Sequence, residues 1–400
     1  MRPSDDSGTA GLVWLLGALA ALGPLSIDLY LPSFPDIARS FHTDVAAVQL
    51  TLAVYLFGLA AGQFLYGPLS DRFGRRNPLL GGLALYAVGS FVAAAAPSLA
   101  LLAAARLLPA LGGCAGMVIS RAVVRDLFDE RESARLYSSL FLVMGVAPIL
   151  APLLGGQLLA VAGWRSIFVI LGLFGTAVLV LLARRLPESL HPDARSQAGP
   201  AAIARGSWSI LRTRRFLCLG LAGGAMQGAM FAYISGSPFV FIELLGVPAA
   251  RFGLYFGLNA LGLIACSQLN RWLAPRFGVL PVLRGAVTFG AVAFAVLVGV
   301  VLRGDPRLAT VMPPIFLGMS SLGLVLPNLA AAVMAPFGAQ AGLASALLGT
   351  LQMVAAALAA AVVSGLANGT ALPMAGVMAG CSAVALVLVA VDAVGAARAG

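Results

Sequence analysis

The chain has 400 residues, 60% of them hydrophobic and only 10% charged, with a mean hydropathy of +0.98. A soluble domain needs more charge than this to cover its surface, so the composition points to a polytopic membrane protein. A net charge of +10 would suggest nucleic acid in a soluble chain. Here all 25 basic residues are arginine and most fall between apolar runs on one side, which is a topology signal, and no nucleic-acid partner is expected.

At about 20 residues per span, the length accommodates roughly twelve helices. Met1 to Thr9 are polar, and Gly11–Leu31 is expected to form the first span. A cleaved signal peptide is the alternative, because Ala18 and Ala20 could mimic a cleavage site. The leader sets one arginine against Asp5 and Asp6 and many spans follow, so it is read as an uncleaved helix. Further spans are expected at Val48–Leu69, Pro78–Ala96, Leu99–Val124, Leu136–Leu159 and Ile167–Ala183. A polar stretch, Arg184 to Arg215, carries Pro187, Pro192 and Pro200 and is the one connection long enough to separate two halves, 1–183 and 216–400. The second half offers Phe216–Phe241, Phe252–Leu273, Val279–Leu302, Leu308–Met334, Gly342–Leu366 and Leu372–Val394.

Arginines crowd the even-numbered connections: Arg72, Arg75 and Arg76, then Arg125, Arg131 and Arg135, then the central stretch, then Arg271 and Arg276. The positive-inside rule therefore places both termini and the central linker in the cytoplasm. Arg72-Phe73-Gly74 recurs as Arg276-Phe277-Gly278, each after an even-numbered span of its half, with Pro275 standing where the first copy has Asp71. The expectation is an all-α protein of two six-helix pseudo-repeats.

Of fifteen acidic residues, fourteen lie in expected loops or at span ends; Asp28 is the exception, inside the first span in Ser26-Ile27-Asp28-Leu29-Tyr30-Leu31-Pro32. A carboxylate there is costly, about 2.5–3.5 kcal/mol on insertion scales, and tends to face a cavity or a partner. Apolar surroundings favour its neutral form, which suits proton exchange; a structural interhelical hydrogen bond is the bland reading. Arg106 is the basic counterpart in the fourth span, and could pair with Asp28 or have a purely structural role. Cys114, Cys218, Cys266 and Cys381 lie singly in apolar runs, and His42 and His191 lie in loops, so neither a metal site nor a cofactor is expected. Residues suited to line a central cavity are Tyr30, Tyr55, Gln227, Phe231, Tyr233, Tyr255, Asn259, Asn328 and Gln352. The mixed-charge run from Arg121 to Arg135, with Asp126, Asp129, Glu130 and Glu132, is either a gating network or a solvated face of weak ion pairs.

The turn Gly67-Pro68-Leu69-Ser70-Asp71-Arg72-Phe73-Gly74-Arg75-Arg76 resembles the loop joining helices two and three of major facilitator superfamily transporters. The fifth span, with Gly145, Pro148, Pro152, Gly155 and Gly156, resembles the antiporter motif of that superfamily, and its prolines and glycines suggest bending. Ile27-Asp28-Leu29-Tyr30-Leu31-Pro32, Gln49-Leu50-Thr51-Leu52, Gly163-Trp164-Arg165 and Ser237-Pro238-Phe239-Val240 narrow the resemblance to the Bcr/CflA drug-resistance transporters. One departure is Pro109 after Arg106-Leu107-Leu108, where the family carries glutamine and a kink could follow. The resemblance implies a proton-coupled, monomeric exporter of small amphiphilic compounds in the bacterial inner membrane. In it Asp28 and Arg106 would serve proton coupling, and Gly67, Asp71, Arg72, Gly74, Arg75 and Arg76 a cytoplasmic gate. The energy source would be the proton gradient. The alternative is a proton-coupled importer or facilitator of a small polar nutrient. An enzyme is not expected, since no span carries a histidine or clustered acids.

Overall fold

In a computed structural model, the described residues are 6–195, 199–304 and 306–397. The side chains of 6–14, 130, 131, 133–135, 137–144 and a few single positions are excepted. Glu130, Arg131 and Arg135 of the mixed-charge run thus lie outside the described side chains, as does the polar leader.

The first apolar stretch is a broken helix. Helix α1 (Asp6–Asp28) stops at the aspartate, a short 3-10 turn (Leu31–Ser33) follows, and α2 (Phe34–Ser40) completes the crossing. Pro32 and Pro35 cause the break, because neither can donate to the preceding turn. The expectation of one helix over Gly11–Leu31 therefore put Asp28 near a helix end facing outward. In the structure it stands midway along the 26-residue stretch Leu15–Ser40.

Long helices follow: α3 (Val45–Phe73), α4 (Arg76–Ala94), α5 (Leu99–Leu127) and α6 (Glu130–Arg185). Asp44 caps α3 and Ser98 caps α5 by accepting from backbone N–H groups three residues on. Gly163 breaks α6 with φ 71° and ψ 171°, so two crossings run through it. The central linker holds a helix, α7 (Pro200–Leu211). Pro200 at its first position starts it, and Ile203, Ser207, Ile210 and Leu211 share its inner face. Then come α8 (Arg214–Pro238), a π-helical turn (Phe239–Leu244), α9 (Ala249–Phe277) and α10 (Val279–Leu302), followed by α11 (Leu308–Met334), α12 (Ala341–Gly365) and α13 (Leu372–Ala397). Eleven stretches of the described residues are long and apolar enough to span a membrane, or twelve when α6 is divided at Gly163. The architecture is all-α and two-lobed, with α3 packed along α12 and α6 along α9 where the lobes meet.

The repeated Arg-Phe-Gly marks equivalent turns. Helices α3 and α9 are each 29 residues long and end at Phe73 and Phe277. Gly74 (φ 87°, ψ 169°) and Gly278 (φ 87°, ψ 155°) follow in nearly the same conformation, one almost confined to glycine. At Gly74 there is a second reason for glycine: a Cβ would lie 2.3 Å from an oxygen of Glu188.

Glu188 caps the start of α4 from the far side of its lobe. Its Oε1 accepts from Arg75 N (2.8 Å) and its Oε2 from Arg76 N (3.2 Å). Burial pushes this carboxyl up, but the N–H groups of Arg75, Leu190 and Arg76, with Arg195 nearby, outweigh it and hold it below the ordinary value of 4.5. A depressed carboxyl contributes stability above its unfolded value, lost as pH falls through the lower folded value. Thermal melting of the purified protein between pH 7 and pH 3 is expected to show this loss below about pH 4.5. Glu188→Gln should flatten that part of the profile. Gly74→Ala should destabilise at every pH, by about 1–3 kcal/mol for the backbone strain alone.

Candidate functional site: a cavity between the lobes

A cavity of about 690 Å³ lies between the lobes, reaching from Asp28 down to Asp71, Arg75, Arg121 and Arg125. It is open toward the arginine-rich ends of the helices. Asp28 is buried and, among the described residues, has no hydrogen-bond or ion-pair partner; its helix ends here and its side chain lines the cavity.

Of the residues expected to line such a cavity, Gln227, Phe231, Tyr233, Asn259 and Gln352 do so. Asn259 Nδ2 donates to Tyr233 OH (2.8 Å) and to the Tyr255 carbonyl (3.0 Å), while its Oδ1 has no partner. Tyr233 stacks on Phe256, ring centroids 5.5 Å apart. Gln63, four residues ahead of the Gly67–Arg76 turn, is not among those expected residues. It lines the cavity and reaches across the lobes to Gly349, where a Cβ would lie 1.9 Å from its Oε1.

Four expected lining residues lie elsewhere. Tyr30 and Tyr55 are wholly buried within the first lobe, and the Tyr30 hydroxyl is bonded to Thr51 Oγ1 (2.6 Å). Tyr255 stacks on Phe241, and Asn328 donates to Asn270 Oδ1 (2.5 Å), tying α11 to α9. Sequence spacing alone could not tell which face of each helix turns toward the opposite lobe.

Arg106 does not pair with Asp28. Its guanidinium lies against the rings of Tyr30 (4.5 Å) and Tyr55 (4.3 Å), and Nη1 donates to the Ser26 carbonyl (2.9 Å). Cation–π contact, strongest when desolvated, replaces the expected ion pair. Nε and Nη2 have no partner. The charge thus sits behind the Asp28 segment, outside the cavity lining. Helix α5 runs unbroken through Pro109, whose ring packs where Gly89 leaves room.

The expected gate residues separate into two groups. Gly67, Asp71 and Arg75 line the cavity, and Arg72, Gly74 and Arg76 do not. Arg75 bonds Asp71 Oδ1 (2.5 Å), Ser70 Oγ (2.9 Å) and, through Nε, Asp126 Oδ2 (2.9 Å). Arg76 donates to the carbonyls of Leu186 (2.9 Å) and Ala183 (2.8 Å), and Arg72 lies over the Phe73 ring. Each of these contacts stays within the first lobe, so in this conformation none of them ties it to the second.

The opposite end is shut. Gly145 and Pro148 line the cavity, whereas Gly155 and Gly156 seal its far side. A Cβ on Gly155 would lie 2.1 Å from the Leu29 carbonyl oxygen, and one on Gly156 would lie 2.7 Å from that of Ala249. Gly253 of α9 approaches Leu153 N within 2.5 Å by the same measure. Despite Pro148 and Pro152, α6 stays helical here; the glycines serve close backbone approach more than bending.

A cavity between two helical lobes, closed at one end and holding an unpaired carboxyl at mid-depth, defines a membrane transporter. The chain matches the model of the Major Facilitator Superfamily over residues 16–360 and belongs to that superfamily. It is 40% identical to an uncharacterized MFS-type transporter, YdgK of Bacillus subtilis, with 87% of each chain covered. It is 31% identical to a bicyclomycin resistance protein homolog of Haemophilus influenzae, over 71% of each. To a chloramphenicol resistance protein of Pseudomonas aeruginosa it is 34% identical, over 72% of this chain and 68% of that one. The crystal structure of a D-xylose-proton symporter shares the fold with a TM-score of 0.74 at 15% identity, covering 94% of this chain and 96% of that one. These relatives are transporters and resistance proteins, and the chain is a multi-pass inner-membrane transport protein, not an enzyme. Among the described residues, no cluster of histidine, cysteine, aspartate or glutamate could hold a metal ion.

Gly156→Ala must force α6 away from Ala249 of the second lobe. The expected outcome is a looser outer seal: a single cysteine placed at Ala46 should react faster with a membrane-impermeant maleimide, by about tenfold for a penalty near 1.4 kcal/mol. Gly145→Ala, where a Cβ meets only the Ile264 side chain at 3.5 Å, should leave that rate unchanged.

Proposed function

We propose that the chain exports small amphiphilic compounds across the inner membrane in exchange for protons, in the manner of the Bcr/CflA branch. The observation that carries this reading is Asp28: a lone carboxyl at mid-span, facing the cavity with no fixed partner. Such a group is held neutral or compensated at nearly all times, either by a proton or by a polar ligand. Two occupants that neutralise the same group in turn give exchange. The similarity to relatives named for bicyclomycin and chloramphenicol resistance supports an exporter of such compounds.

In the cycle, the arginine-rich end faces the cytoplasm, as the positive-inside rule requires. Asp28 loses its proton to that side, and a ligand enters to take up the space beside it. Phe231 and Phe256 supply apolar contact, while Asn259 Oδ1 and the amides of Gln227 and Gln352 offer hydrogen bonds to differently shaped ligands. Rocking of the lobes then opens the far end, where reprotonation of Asp28 releases the ligand. Arg106 lies behind the Asp28 segment, outside the cavity lining, and holds the Ser26 carbonyl next to Asp28. Asp71 and Arg75, now bonded within their lobe, would meet the second lobe once the cavity closes on their side.

Proteoliposomes with an imposed pH gradient test this. Wild type should move a fluorescent drug or a phenicol against its gradient, and Asp28→Asn should reduce gradient-driven flux by at least about tenfold, as befits loss of an essential acid. Full flux in Asp28→Asn, or accumulation of a sugar or amino acid in the direction opposite to drug export, would overturn the reading.

A further inference from the structure

A second cavity of about 460 Å³ lies at the sealed end and shares no lining residue with the central one. Its walls come from both lobes: α2 and the start of α3 on one side, the π-helical turn and the α12–α13 connection on the other. Ser364 Oγ donates to the Ala46 carbonyl (2.7 Å) across the lobes beside it, so this pocket, open on its outer side, keeps both walls together only while that end is shut.

Gln49 stands one turn inside α3 and lines this chamber. It is 3% exposed, and its Oε1 has no hydrogen-bond partner. Leaving a buried amide oxygen unpaired costs about 1–3 kcal/mol, so the site is short of one hydrogen-bond donor. The charges point the same way. Arg39, the one basic residue of the lining, is already bonded to Asp36, which leaves Asp44 and Glu243 without a basic counterpart among the described residues. Glu243 owes its place to the π-helical turn Phe239–Leu244, which also brings Phe239 and Val240 to the wall. Val363 and Met374 complete an apolar side.

We propose that this outer chamber is a second ligand site, specific for a protonated primary or secondary amine on a compact apolar body. The ammonium lies between Asp44 and Glu243, one N–H donates to Gln49 Oε1, and the apolar part packs on Phe239, Val363 and Met374. Because both lobes build the site, its occupant favours the conformation sealed at this end, and so acts on transport from the outside without entering the central cavity. The site stands on its own lining and does not require that Asp28 couple flux to protons.

The test is binding of phenethylammonium to the full chain in nanodiscs, followed by saturation-transfer NMR titration, with Asp28→Asn as the background that disables the central site. In that background wild-type-like binding is expected to persist. Gln49→Leu and Glu243→Gln should each weaken it by about tenfold. The fully N-methylated analogue, which keeps the charge but has no N–H, should also bind about tenfold more weakly, and Gln49→Leu should then cost it nothing further. Unchanged binding in both outer variants would overturn the proposal. So would loss of all binding in Asp28→Asn alone, or equal affinity for the methylated and unmethylated probes. Glu243 is exposed, so its variant is expected to fold even if Gln49→Leu does not. Failure of proton-driven export would leave this site intact, and its loss would leave the export reading intact.

Discussion

Close backbone contact at one end of the molecule is what the rest of the arrangement depends on. In a bilayer, lipid tails are as apolar as leucine, so helices associate through packing of small residues and not through the hydrophobic effect. Gly155 and Gly156 let α6 meet Leu29 and Ala249, and Gly253 returns the approach from α9. Of these contacts, Gly156–Ala249 and Gly253–Leu153 hold the lobes together at the sealed end without a charged side chain, while Gly155–Leu29 packs α6 on α1 within the first lobe. The other end is held apart, because its charged side chains are satisfied inside the first lobe: Arg75 by Asp71 and Asp126, and the α4 N-terminus by Glu188. A seal that is mainly apolar, with one hydrogen bond from Ser364 to the Ala46 carbonyl across it, can part and re-form, while the polar network travels as a rigid unit.

The packing of α6 on α1 fixes the surroundings of Asp28. Leu29, whose carbonyl touches Gly155, is the next residue, and the helix breaks between them and Pro32. Helix α6 therefore rests, within the first lobe, directly on the segment that carries the carboxyl. Arg106 lies behind the same segment, bonded to the Ser26 carbonyl. Asp28, the Gly155 contact and the Arg106 hydrogen bond thus meet on one short segment of the first lobe.

Much of this was legible in the sequence where the physics is local. Apolar runs of spanning length, arginine bias and the repeated Arg-Phe-Gly each depend on short stretches, and the structure returns equal 29-residue helices ending in glycines of nearly the same conformation. Asp28 was legible because a carboxylate in a span is rare and costly. What failed was facing. Tyr30 and Tyr255 sit near cavity residues in the chain yet turn into their own lobes, and Asn328 is consumed by Asn270 on a neighbouring helix. An apolar solvent on most sides weakens the amphipathic signal that reveals facing in soluble helices, so spacing carried little information. Arg106 misled for a different reason: opposite charges suggest an ion pair, whereas three aromatic rings supply the compensation instead.

The two lobes share an equivalent interfacial turn but differ in chemistry. The first keeps Asp28, Arg106 and the acid of its interfacial turn; the second has Pro275 where that acid would stand, and contributes Gln227, Tyr233, Asn259 and Gln352 to the cavity. Neutral amides and aromatic rings tolerate a range of ligands because they impose no fixed charge, while a lone carboxyl demands a proton or a ligand at every moment. Segregating the two kinds of group onto opposite lobes lets ligand shape vary against one wall without disturbing the titrating group on the other. In the proposed cycle, a broad ligand range and strict coupling would be compatible within one cavity, since each is answered by a different lobe.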